Sequence, residues 1–114
     1  NLQTLAALAF HQMGNALVPI GVDTFANEAL IFDARQVEAV EVLDRKRRRY
    51  ARVASSAPVW LIWQPAGKHA PFVCVEPWYG LPDTVDFDGE MPQRPEIQRA
   101  APQETWEGWW TLEV

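Results

Sequence analysis

Two short runs, Val59-Trp60-Leu61-Ile62-Trp63 and Phe72-Val73-Cys74-Val75, are apolar at every position and too short for buried helices. Such runs suit strands covered on both faces, as between the layers of a sandwich. Gln64–Pro71, between them, carries proline and glycine and reads as a loop. Val37-Glu38-Ala39-Val40-Glu41-Val42 alternates apolar with acidic residues, and Tyr50-Ala51-Arg52-Val53-Ala54 alternates again after the polar break Asp44–Arg49. That pattern predicts a β-hairpin with a basic loop. Ala29–Phe32 is a further apolar run, Trp106–Val114 resumes alternation, and the segment with Pro77, Pro82, Pro92, Pro95 and Pro102 should be long and irregular. Leu2, Leu5, Ala6, Ala9 and Met13 fall at spacings of three and four, which predicts a short helix over residues 1–13 stopped by Gly14-Asn15. The chain therefore reads as an all-β antiparallel sandwich with at most one N-terminal helix.

The 114 residues allow one domain or part of one. With 48% hydrophobic and 22% charged residues, the composition is that of a globular chain. Ten basic against fifteen acidic residues argue against a generic polyanion-binding surface, so no nucleic-acid partner is expected. A lone cysteine makes no internal disulfide, and no apolar stretch reaches the roughly 20 residues of a membrane span. The expectation is a soluble cytoplasmic protein without a membrane partner, metal or cofactor.

Glu76 closes the Phe72–Val75 strand and is followed by Pro77, Trp78 and Tyr79. Alternation sets it on the face opposite Val75, where aromatic neighbours would partly desolvate a carboxylate suited to general-base work. The plainer reading is a rim carboxylate paired with an arginine. Six tryptophans, Trp60, Trp63, Trp78, Trp106, Trp109 and Trp110, offer flat faces that stack on the C–H faces of sugars. Most belong in a core. Trp78 ranks first as a ligand contact because it adjoins Glu76, and of Trp60 and Trp63 only one can face any given pocket.

The basic run Arg45–Arg49 falls on the hairpin tip, with Glu38, Glu41 and Asp44 near to offset it, and reads as a solvated loop. Asp83, Asp86, Asp88, Gly89 and Glu90 suggest calcium, but matching Asp86, Asp88 and Gly89 to the third, fifth and sixth loop positions puts Thr84 first and Pro95 last, so the register fails. His69, in the loop before the Glu76 strand, is a better candidate than His11. Cys74 reads as a small buried hydrophobe facing away from Glu76.

The order Thr24–Phe32, hairpin, Val59–Trp63, Pro71-Phe72-Val73-Cys74-Val75-Glu76-Pro77-Trp78 and late strand resembles the C-terminal part of aldose 1-epimerases, in the galactose mutarotase superfamily. The resemblance spans residues 17–114 and leaves 1–16 unassigned. It implies an antiparallel β supersandwich that interconverts sugar anomers, with an aldohexose or hexose phosphate as ligand. It implies Glu76 as the base that takes the anomeric hydroxyl proton, and a histidine that protonates the ring oxygen. Neither His11 nor His69 matches the context of that histidine, so the resemblance implies a C-terminal fragment lacking the acid. Such a half-sandwich would leave apolar sheet surface uncovered and favour self-association. A non-catalytic carbohydrate-binding β-sandwich is the alternative.

Overall fold

A computed structural model describes residues 5–11, 16–68 and 70–114. The chain folds into two antiparallel sheets. The larger has the order β2-β1-β4-β5-β8 and the smaller β3-β6-β7. Their strands are β1 Leu5–His11, β2 Ala16–Pro19, β3 Leu30–Phe32, β4 Ala39–Asp44, β5 Arg49–Ser55, β6 Val59–Trp63, β7 Cys74–Trp78 and β8 Trp110–Glu113. The two sheets share one core, in which Leu8, Val40 and Val42 of the larger meet Trp60 and Ile62 of the smaller, with Phe25 and Val37 between. The all-β sandwich is therefore the observed architecture.

The helix expected at the N-terminus is a strand instead. Leu5–His11 pairs with β2 on one side and β4 on the other, which makes it an interior strand of the larger sheet. Ala7 and Leu8, on opposite faces, are both fully buried, so at these two positions neither face of the strand is left to solvent. Two ladders of backbone hydrogen bonds outweigh the three-and-four spacing of Leu2, Leu5, Ala6, Ala9 and Met13. Gly14 and Asn15, read as the stop signal, lie outside the described residues.

The predicted hairpin is β4–β5, and its tip shows where the basic run goes. Asp44 Oδ1 accepts the backbone N–H of Lys46 (2.8 Å) and of Arg48 (2.9 Å), and Oδ2 accepts Arg48 Nε (2.8 Å). These bonds hold a turn in which Arg47 takes the left-handed φ of 63°. Arg49 pairs with Glu113 of β8 at 3.0 Å and lies 3.8 Å from Glu41 of β4. The cluster of cations is thus partly paired within the sheet.

Residues 79–109 contain no strand and one short 3-10 turn, Met91–Gln93. Their ends are tied across the sandwich. Tyr79, just after β7, hydrogen-bonds through its hydroxyl with Ser56 Oγ and accepts the Trp109 N–H (3.2 Å), while Ser55 Oγ donates to the Trp109 carbonyl (2.9 Å). The end of the smaller sheet is in this way clamped to the start of β8 in the larger. Gly108 is required there, because a Cβ would come within 2.6 Å of the Trp106 ring and 2.7 Å of the Tyr79 hydroxyl.

Candidate functional site

The face of the smaller sheet turned away from the core is set by strand parity. Trp60 and Ile62 of β6 and Val75 of β7 pack inward. Their alternates point outward, and the register places Val59 opposite Trp78, Leu61 opposite Glu76 and Trp63 opposite Cys74. On β3, Ile31 stands beside Leu61. One face therefore gathers Ile31, Leu61, Trp63, Cys74, Glu76 and Trp78. Trp60 is fully buried whereas Trp63 is 37% exposed, so of these two tryptophans it is Trp63 that reaches the outer surface.

Glu76 and Trp78, two residues apart on β7, are joined directly: the indole Nε1 of Trp78 donates to Glu76 Oε2 at 3.1 Å. That bond fixes the carboxylate plane and, among the described residues, leaves Oε1 without a hydrogen-bond partner. Both residues are half-buried. A proline inside a strand cannot donate to the ladder. Pro77 lies between them on β7, which is an edge strand of its sheet.

The rim is aromatic. Trp63 and Phe72 meet with ring centroids 6.2 Å apart and planes tilted by 47°. Gln64 holds the intervening loop, since its Nε2 donates to the carbonyls of Ala70 (2.9 Å) and Phe72 (2.7 Å). With Ile31 also exposed, the carboxylate sits beside an open apolar border and over the covered Leu61. His69 falls in that same loop but lies outside the described residues.

Cys74 does not face away from Glu76 as expected. Two residues before it on one strand, it shares its face, because parity returns every second side chain to the same side. Burial, and then the negative charge of Glu76, push the thiol above its ordinary value, so Cys74 stays protonated and unreactive at neutral pH. Leu61, Ile31 and Phe72 are absent from the sequence candidates, and parity applied to β3 and β6 together is the signal that would find the first two.

Of the six tryptophans, Trp60 is buried, Trp78 half-buried and Trp63, Trp106, Trp109 and Trp110 exposed, so most do not join the core as expected, because their strands and loops lie at the surface. Part of the acidic segment serves the scaffold. Arg94 grips Asp83 with both ends of its guanidinium, Nε to Oδ1 at 2.7 Å and Nη2 to Oδ2 at 3.1 Å. Glu90 pairs its backbone N–H with Gln93 Oε1 (2.8 Å). Among the described residues no group of three or more His, Cys, Asp or Glu side chains is placed to hold a metal ion, and no helix is long and apolar enough to cross a membrane. Trp106 contacts Tyr79 edge to face at 4.9 Å and so props the clamp on β8. Burial opposes ionisation of the Tyr79 hydroxyl, yet the hydroxyls of Ser56 and Ser55, the Trp109 backbone and the charge of Arg35 together draw it below the usual phenol value.

The chain is similar to two proteins of Lactococcus lactis subsp. lactis, the chromosomal and the plasmid forms of protein LacX. It is 26% identical to each over 82 residues, which is 71% of this chain and 27% of the relative. It thus spans about a quarter of the length of these curated relatives. No family model and no solved structure matches it.

Proposed function

We propose that this chain carries the general-base part of an aldose 1-epimerase type site, with Glu76 as the base and Trp78 and Trp63 against the sugar. The observation that supports it most is the Glu76 carboxylate, oriented by the Trp78 indole and open at Oε1 beside an aromatic border. The similarity to the LacX proteins adds a coarse link to the galactose mutarotase-like superfamily.

A carboxylate in this setting can take the proton of an anomeric hydroxyl. The C1–O1 bond becomes a carbonyl as the bond from C1 to the ring oxygen breaks, and the ring oxygen takes a proton from an acid supplied from outside the described residues. Rotation about the C1–C2 bond and the reverse steps return either anomer. Only the sugar is rearranged, so no redox cofactor enters the balance. The flat indoles of Trp63 and Trp78 suit the C–H faces of a pyranose, whose ligand class is an aldohexose or a hexose phosphate.

The test is time-resolved polarimetry on freshly dissolved α-glucose and α-galactose, using the full-length protein. Glu76→Gln should leave the melting temperature nearly unchanged and lower the catalysed rate by about a hundredfold or more, the scale of a lost general base. A variant that keeps most of its rate removes Glu76 from the mechanism. If the sugar binds, as tryptophan fluorescence would show, while the spontaneous rate is unchanged even in the native protein, the face is a carbohydrate-binding surface without catalysis.

A further inference from the structure

A cavity of about 550 Å3 lies away from the Glu76 face, where the end of β5 and the start of β8 meet the turns at Arg35 and Ser56. Arg52 and Ala54 of β5 and Thr111 of β8 line it. Because Val53 between them packs inward, these residues occupy the face of the larger sheet turned from the core. Arg35, Glu38 and Trp109 complete the wall.

We propose that this cavity binds a small organic oxyanion, through the guanidinium groups of Arg35 and Arg52, with the flat or C–H face of the ligand on Trp109. Two cations against one carboxylate give the wall a positive balance. Arg52 is also uncommitted. Its cross-strand neighbours are Glu41 and Glu113, yet both of those carboxylates are engaged by Arg49, and among the described residues the Arg52 guanidinium has neither ion pair nor hydrogen bond. An arginine on a half-buried strand position without a partner presents its planar fork to whatever enters the cavity.

Arg35 is held in place for the same purpose. Ala34 and Arg35 adopt consecutive left-handed conformations, φ 51° and 57°, which non-glycine residues rarely take. The Arg35 backbone N–H donates to the Pro58 carbonyl at 2.9 Å and its Nη1 to the Ser56 carbonyl at 3.2 Å. One end of the guanidinium is thereby anchored and the other remains available. Trp109 is 54% exposed, which leaves ring surface for a ligand body.

The test follows the Trp109 indole resonance by NMR during titration with benzoate, phenyl phosphate and, as the neutral control, phenol. One or both anions should shift Trp109 at millimolar concentration or below, phenol should not, and the tighter anion identifies the group as carboxylate or phosphate. Arg52→Gln should weaken that binding about tenfold, the scale of a charge-assisted bond, and Glu38→Gln should strengthen it by relieving the competing charge. Arg47→Gln, on the hairpin tip, should change nothing. No shift with either anion, equal binding of phenol, or unchanged affinity in both Arg52→Gln and Glu38→Gln overturns the proposal. The Glu38→Gln arm decides the matter if Arg52→Gln unfolds, and sugar turnover enters none of these readings.

Discussion

The two faces of the smaller sheet are built from the same residue types and do opposite work. Inward, Trp60 and Ile62 have no exposed surface and join the core with Leu8, Val40 and Val42. Outward, one residue along the same strand, Trp63 opens to solvent, and on β7 Trp78 directs its indole N–H to Glu76. Trp60 offers the sharpest contrast, since among the described residues its buried Nε1 has no hydrogen-bond partner at all. An inner tryptophan therefore contributes volume and apolar area despite an unsatisfied polar atom, whereas an outer one contributes a surface and a donor. Chemical identity is shared; parity on a pleated strand assigns the role.

The strongest way to break this contrast is Trp60→Ala. It should cost about 3–5 kcal/mol of stability through lost transfer energy and the cavity left behind, seen as a lower urea midpoint with an unchanged slope. A loss below about 1 kcal/mol would show that the inner face is not the core.

On the outer face, Trp78→Phe keeps the ring and removes the donor to Glu76. Hydrogen bonds to charged groups contribute about 1.5–3 kcal/mol, so the catalysed anomerisation rate should fall about tenfold or more while the melting temperature moves little. A variant with the native rate would show that the indole bond does not position the carboxylate.

Trp63→Ala sharpens the comparison by deleting the outer counterpart of Trp60. Stability should change by less than about 1 kcal/mol because the ring is already in part solvated. Sugar affinity should drop about fivefold, within the range of a lost stacking contact, as measured by calorimetric titration. If Trp63→Ala proved as destabilising as Trp60→Ala, the distinction between the faces would be erased.

The smallest effect is expected far from both faces, at the hairpin tip. The Arg48 backbone N–H bond to Asp44 outweighs the opposing effect of burial and, with the Arg48 side chain and the Lys46 N–H, holds the Asp44 carboxyl below its ordinary value of 3.8. A depressed native value means that the unfolded state binds the proton first, so this contribution is fully present above the unfolded value and is lost as the pH falls through the native one. Asp44→Asn should therefore lower stability slightly at neutral pH and flatten the acid limb of a melting-temperature profile between neutral pH and the strongly acid range. An identical acid limb in both proteins would remove Asp44 as its source.

Much of the fold is legible because short strands write their parity into the sequence. The alternation of Val37–Val42 and Tyr50–Ala54 corresponds to β4 and β5, and the two apolar runs to β6 and, in part, β7. Glu76 and Trp78 share a face for the same reason, and their spacing of two is visible in the chain. Two of the departures lie in the strand period itself. Leu5–His11 carries a helical spacing because its apolar residues fit either period and Ala7 and Leu8 are buried on opposite faces, whereas the spacing of two between Cys74 and Glu76 already demands a common face.

What the sequence determined by itself was local: which segments are extended, which face of a strand each side chain takes, and that a carboxylate would stand among aromatics. Pairing across distance was decided only by the tertiary structure. The Trp63–Phe72 contact depends on how Gln64 folds its loop, the clamp of Tyr79 on Trp109 joins residues 30 apart, and the freedom of Arg52 follows from Arg49 reaching Glu113, 64 residues away. Backbone geometry acts between neighbours and so is written locally, whereas contacts between sheets arise when burial of apolar surface chooses one packing of the whole chain.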